Sequence, residues 1–239
     1  MTTVLQVCQD AADELSLARP DEVVGVTDDN TAQKLLRHLT VTIKDLARRH
    51  EWANLQREYT FSTADSTEGY ALPSMFLRLV PDSLWNRTRR FRFGGPLSSA
   101  DWQAYKASLT SMAFQTYRIR GTGTTTLPQI LIAPTPAAIE TIAFEYVSKA
   151  VGIASGAEIA AFTADGNTFL WDSELLTLGT IWRYKKAEGQ DYSEEFRTFE
   201  LAIQDMIKAD KGGGIVSMDS SLKDRTPTPA RVPDTLVFS

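Results

Sequence analysis

The sequence predicts an α+β fold, in which helices from both ends of the chain form a helical bundle beside an inserted antiparallel β region. Near both ends, apolar residues recur at helical spacing. In the middle they alternate with polar residues, and turn residues separate the short runs. The last stretch loses both patterns and contains three prolines. We therefore divide the chain into a helical bundle domain (1–56 and 172–211), an inserted antiparallel β region (57–171) and an extended, flexible tail (212–239).

Composition limits the classes of protein that fit. A chain of 239 residues can bury one large core or two small ones. A net charge of -5 argues against a general nucleic-acid binder, which is usually basic. The single cysteine, Cys8, excludes an internal disulfide framework and a cysteine-rich zinc site, and it suits a reducing cytoplasm. No run approaches the roughly 20 apolar residues that span a bilayer, so no membrane partner is expected.

Two helices are predicted before the β region. The first has apolar residues at helical spacing from Val4 to Leu15, and Pro20 lies beyond its end. The second covers 31–52, and the polar residues before it can cap its start. One face of this second helix is apolar and the other basic, which is typical of a helix that packs on one side. The basic face carries Lys34, Arg37, Lys44 and Arg48.

At least five short strands are predicted in the middle of the chain, because apolar and polar residues alternate there. Short turns between them favour antiparallel pairing. The segments in question are 57–61, 69–72, 87–93, 117–120, 129–133 and 140–147. A short helix is predicted at 99–107, and Asp165-Gly166-Asn167 is interpreted as a turn between 160–162 and 168–171.

Two further helices and a tail are predicted after Trp171. The first helix ends at Gly189, and the second, of roughly 19 residues, has an apolar face running from Tyr192 to Ile207. They form an αα-hairpin. In the tail, ordering 28 residues costs roughly 1 to 2 kcal/mol each in backbone entropy. Its few apolar side chains cannot offset that against its own domain, so we expect a partner to order it.

Motifs that would support catalysis are missing from the sequence. His38 and His50 are the only histidines, and their spacing fits no metal-binding motif, so we interpret them as surface or interface residues. The absence of a nucleophile elbow or a cysteine–histidine pair predicts a protein that is not an enzyme and has no cofactor or metal site.

One cluster of residues stands out as a candidate binding site. Seven arginines fall between positions 78 and 120, with aromatic residues among them. Such a pattern can bind single-stranded nucleic acid, with guanidinium groups on phosphates and rings against bases. It can equally form the polar face of a sheet that meets an acidic neighbour. The candidate basic patch consists of Arg87, Arg89, Arg90, Arg92, Arg118 and Arg120.

Several motifs, taken in their order, resemble those of phage head-to-tail adaptor proteins, the group related to tail tubular protein A of short-tailed phages. The resemblance spans nearly the whole chain, and its motifs are structural ones. They are Trp52, the run from Tyr70 to Pro73, Phe76-Leu77-Arg78, the run from Phe162 to Trp171, Glu174-Leu175-Leu176, Leu178-Gly179, the run from Trp182 to Lys185, and the run from Gly189 to Tyr192.

The resemblance implies a structural protein of the virion, placed at the portal vertex and assembled in the host cytoplasm. It implies a ring of twelve copies between the portal ring and a tail nozzle or tail tube component, through which DNA passes without sequence-specific binding. It also implies that apolar residues of the tail dock on the portal. Those residues are Ile215, Val216, Met218, Leu222, Val232, Leu236, Val237 and Phe238. The alternative is a nucleic-acid-binding module that uses the arginine and aromatic strands 87–93 and 117–120.

Overall fold

The computed structural model describes residues 2–107, 115–121 and 128–210, and these form two compact units. One unit contains the described residues up to Gln56 and those from Val147 onward, and the other contains the described residues from Arg57 to Tyr146. Helices and antiparallel sheets together confirm the predicted α+β class.

The described α-helices all start within two residues of a predicted start. They are α1 (Val4–Glu14), α2 (Asn30–Arg49), α3 (Ser99–Ala107), α4 (Ser173–Ala187) and α5 (Ser193–Asp210). A single 3₁₀ turn, Ala53–Leu55, follows α2. The described strands are β1 (Gln56–Ser62), β2 (Gly69–Ala71), β3 (Phe76–Leu79), β4 (Trp85–Asn86), β5 (Phe91–Arg92), β6 (Thr116–Arg120), β7 (Gln129–Ala133), β8 (Thr141–Ser148), β9 (Gly152–Ala154) and β10 (Ala157–Ile159).

The helical unit is built around α4, which contacts α1, α2 and α5. Side-chain caps fix where these helices begin. Thr3 and Gln6 form a capping box at α1, and the Asp29 carboxylate accepts the backbone N–H groups of Thr31 and Ala32 at α2. Asp172 caps α4 in the same way. Because the caps are local in sequence, the predicted starts agree with the observed ones.

Glycine allows the helices to pack closely. A Cβ atom on Gly179 of α4 would overlap Thr42 Cγ2 of α2 and lie 2.8 Å from Phe199 Cε2 of α5. Both neighbouring residues are fully buried. The absence of a side chain at Gly179 therefore allows α2, α4 and α5 to pack closely at this point.

Cys8 is part of the same interior. Its side chain is fully buried on α1. Burial, reinforced by the nearby Asp165 carboxylate, raises the pKa of the Cys8 thiol to about 12. The cysteine is thus a small apolar core residue.

Residues 147–171 cluster with the helices, although their periodicity had suggested the β region. β9 and β10 form an antiparallel hairpin, and Thr168 bridges both Ile153 and Thr3. The backbone N–H of Val4 donates to the Asn167 carbonyl. The contacts of Thr3 and Val4 join segments about 160 residues apart, a relation that periodicity does not encode.

The β unit contains two sheets. In the larger, the strand order is β1-β8-β4-β5, with β3 also pairing with β8, and in the smaller it is β2-β7-β6. Every pairing whose register is given is antiparallel. Phe144, Ile130 and Ile132 lie at the centre of the core and are packed by a ring of partly buried aromatic side chains.

The predicted strand 87–93 and the segments that flank the predicted turn at Asp165 require correction. Residues 87–90 form a turn between β4 and β5, so only Phe91–Arg92 of the predicted strand 87–93 is a strand. The Asn86 side chain accepts the Arg89 backbone N–H at 2.9 Å, and Arg90 has a φ of 60°, which suits a turn and not a strand. The turn at Asp165 and Gly166 is present, but 160–162 and 168–171 are not strands.

Candidate functional site

The six arginines of the candidate basic patch lie in the β unit in two groups. Arg87, Arg89 and Arg90 occupy the β4–β5 turn with Arg92 just after it, whereas Arg118 and Arg120 lie on β6. A parallel bridge joins Gly94 to Thr116. Arg92 comes before Gly94, and Arg118 comes after Thr116. Because the two segments run parallel at the bridge, the turn group and the β6 group lie on opposite sides of it.

Three arginines of the turn group form ion pairs with carboxylates. Arg87 Nη2 lies 2.8 Å from Glu58 Oε1, and Arg92 Nη1 lies 3.2 Å from Asp82 Oδ1. Both of these pairs are well exposed, so each contributes little to stability. The third pair differs, because Arg89 Nη2 lies 2.6 Å from Oε1 of Glu140, whose side chain is only 2% exposed.

The β6 group has a different environment. Arg118 donates from Nη2 to Ser99 Oγ at 2.8 Å, which links β6 to the first turn of α3. Arg120 is exposed at the end of β6. Phe93 and Tyr117, two of the aromatic residues near these arginines, are buried in the core, so neither ring is available to stack on a base.

A buried polar cluster lies beneath the turn. Glu140 Oε2 accepts from Asn86 Nδ2 at 2.5 Å and from Gln115 Nε2 at 3.2 Å. The Glu140 backbone N–H donates to Thr63 Oγ1 at 2.8 Å. Each of these four residues is buried. A buried carboxylate needs such partners and an opposite charge, which Arg89 supplies.

Replacing Arg89 with alanine should lower the free energy of unfolding by about 2 kcal/mol, because the Glu140 carboxylate would lose the cation that pairs with it while remaining buried. The expected loss of stability is smaller than for a fully buried ion pair, because the Arg89 side chain is about half exposed to solvent. Urea denaturation followed by circular dichroism measures the loss. The matched control is Arg87→Ala, whose pair with Glu58 is exposed at both ends and should cost under about 1 kcal/mol. Equal effects of the two substitutions would contradict the structural role of Arg89.

The helical unit contains a second ionic network, which sequence reasoning missed. Asp45 of α2 accepts from Arg183 Nη2 of α4 at 2.7 Å and from Arg49 Nε at 3.1 Å. Arg49 also binds both carboxylate oxygens of Glu200 on α5. The Arg183 guanidinium lies 4.1 Å from the Trp182 ring centroid. Burial lowers the pKa of Arg183, and Asp45 opposes that shift. The network joins α2, α4 and α5, and its charged side chains pair with one another.

The Asp165 turn is also structural. Asp165 Oδ1 accepts the backbone N–H groups of Val23 at 3.1 Å and Val24 at 2.8 Å. Asn167 Oδ1 accepts those of Thr163 and Ala164. The Asp165 carboxylate therefore fixes the loop that precedes α2, whereas the Asn167 amide oxygen stabilises the turn itself.

The two histidines lie on or just after α2. His38 is partly buried against Tyr184, and its pKa is lowered by burial and then by the charge of Arg183. His50 packs edge-on against Trp52, and its Nε2 lies 3.4 Å from Asp210 Oδ2. Within the described part of the chain, no group of three or more His, Cys, Asp or Glu side chains is placed to hold a metal ion.

Two further observations concern the membrane and portal partners considered in the sequence analysis. Across residues 2–107, 115–121 and 128–210, no helix combines the length and apolar character that a membrane crossing requires. The predicted portal-docking residues, from Ile215 to Phe238, lie outside the described residues.

Comparison with known proteins identifies the family. A search of curated proteins finds no match to this chain. The sequence model of the SU10 adaptor protein family matches residues 2–232, which cover both units and most of the tail. This confirms the resemblance to head-to-tail adaptors, while the relation to tail tubular protein A stays a prediction. The chain belongs to the SU10 adaptor protein family and is a structural protein of phage particles.

Proposed function

We propose that this adaptor forms a closed ring, of twelve copies, between the portal ring and the first tail component. The family match over residues 2–232 supports the adaptor role most directly. Identical copies joined by unlike surfaces close into a ring when their rotation permits it. DNA passes through the ring during packaging and ejection without sequence-specific contacts. The virion neck is its location, after assembly in the host cytoplasm.

The proposed role is mechanical, and catalysis has no part in it. An adaptor must bind on two sides and hold its shape, and a structural family is consistent with a protein that is not an enzyme. The polar groups described above support this, because Glu140, Asp45 and Asp165 are each engaged by side chains or backbone of the same unit.

The tail, residues 212–239, is proposed to dock on the portal. Its eight apolar docking candidates are too few to bury a core with their own domain, so a partner surface would supply the missing apolar contact. The family match continues to residue 232 and so includes most of this segment.

Removing residues 212–239 should weaken binding to the cognate portal ring by at least about 100-fold, because the tail would bury several apolar side chains there. Sedimentation with the purified portal ring measures the affinity. A matched variant keeps the tail length and replaces Val232, Leu236 and Val237 with serine, and it should lose most of the same binding. Unchanged affinity in both variants would show that docking uses another surface.

The rival function is a nucleic-acid-binding module built on the patch arginines. A salt titration of DNA binding distinguishes the two, because phosphate contacts give a steep dependence of affinity on salt. The adaptor should bind free DNA weakly. Three of the six patch arginines already pair with carboxylates of the β unit, which favours the adaptor.

A further inference from the structure

We infer that the exposed face of α2 docks on the acidic face of α1 in a neighbouring copy of the chain. This inference rests on the proposed ring and names the surfaces that would join its copies. Both faces belong to the helical unit.

The exposed face of α2 is a narrow basic stripe. Arg37, Val41, Lys44 and Arg48 follow one another at spacings of four, three and four residues, which places them on one side of the helix. The stripe is ~16 Å long, at ~1.5 Å per residue. All four residues are exposed, and Val41, at 45%, is an apolar side chain among the cations.

The charges of this stripe are not used within the helical unit. The other cations of α2 are paired, since Lys34 contacts Glu188 at 2.6 Å and Arg49 contacts Asp45 and Glu200. In the part of the chain that the structure describes, Arg37, Lys44 and Arg48 form no salt bridge and donate no side-chain hydrogen bond. An unpaired cationic row beside an exposed valine suits a partner surface that is acidic.

The preceding segment of the chain supplies such a surface. Asp10, Asp13 and Glu14 are exposed at spacings of three and one, on one side of α1. The acidic character continues through Asp21, Glu22 and Asp28, which are also exposed. Between positions 10 and 29 there are seven carboxylates and one arginine, Arg19, which lies 3.7 Å from Asp13. Positions 30–49 carry five lysine and arginine residues and one aspartate.

Opposite charge on two faces of one unit favours a second copy as the partner. α1 and α2 pack against each other, yet the basic stripe forms no ion pair with the acidic face of its own chain among the described residues. Each face is thus available to another molecule, and pairing unlike faces generates a head-to-tail contact that can close into a ring. DNA fits less well, because the adjacent acidic face and the net charge of -5 would repel phosphates.

Complementary charge reversal tests the pairing. One full-length variant carries Lys44→Glu and Arg48→Glu, and the other carries Asp10→Lys and Glu14→Lys. Each alone would set like charges against each other at every contact, so assembly should require at least tenfold more protein than the wild type. Mixed in equal amounts, the two variants can alternate around a ring with opposite charges at every contact. The mixture should therefore assemble within about twofold of the wild-type concentration.

Sedimentation velocity, with and without the purified portal ring, measures assembly of each sample. The matched control reverses two exposed cations of α5, Arg197→Glu and Lys208→Glu, and should assemble like the wild type. Raising the salt concentration should weaken wild-type assembly, because these contacts are ionic.

Three outcomes would overturn the pairing: single variants that assemble like the wild type, a mixture that fails to recover, or a control with an equal defect. Loss of DNA binding with normal assembly would also overturn it and assign the stripe to nucleic acid. If the wild type fails to bind the portal while self-association shows the loss and recovery, the proposed adaptor role falls and the pairing stands.

Discussion

Phe144→Ala should lower the free energy of unfolding by about 4 kcal/mol, because truncating a fully enclosed ring leaves a cavity and removes apolar contact. The Phe144 side chain is 1% exposed and lies at the centre of the β-unit core. Its ring centroid lies 5.5 Å from that of Tyr59 and 6.4 Å from those of Phe61 and Phe76. These rings come from β1, β3 and β8, so the cavity would loosen the contacts that hold three strands together.

Urea denaturation, followed by circular dichroism, measures this loss. The control is Ile139→Ala in the same unit, whose side chain is 76% exposed and should cost no more than about 0.5 kcal/mol. Phe144→Leu, which keeps most of the volume, should cost less than half as much as the alanine variant. A loss below about 1 kcal/mol for Phe144→Ala would show that the β unit does not depend on this ring.

Gly179→Val is expected to destabilise the helical unit by roughly 3 kcal/mol or more, since added carbon atoms must displace neighbours that are closely packed. The first added carbon would already overlap Thr42 Cγ2 and lie 2.8 Å from Phe199 Cε2. Relief would require α4 to move away from both α2 and α5, and such a shift would also stretch the Asp45–Arg183 bond between α2 and α4.

The helical circular dichroism signal in a urea titration reports this effect. Gly166→Val is the matched control, because nothing lies within 4 Å of a Cβ at position 166. Adding Thr42→Ser to the Gly179 variant removes the overlapping methyl group and should recover part of the loss, while the serine hydroxyl can still donate to the His38 carbonyl as Thr42 does. Equal stability of the Gly179 variant and the Gly166 control would rule out the close approach of the three helices.

The sequence alone determined most of the elements of this protein and its family. The predicted helix 99–107 and strand 129–133 coincide with α3 and β7, and Asp29 caps α2 as its neighbourhood suggested. These features are specified within a few residues by periodicity and capping chemistry. The adaptor resemblance rested on the order of such local motifs, and the family match confirms it.

Only the tertiary structure decided which distant residues meet. It paired Arg89 of a predicted basic patch with Glu140, 51 positions away, and so gave a candidate binding residue a structural contact. It turned residues 87–90 from a strand into a turn, and it joined residues 147–171 to the helices through bonds to the start of the chain. Contacts between residues that are distant in sequence depend on shape and charge in three dimensions, and the periodicity of the sequence does not specify them.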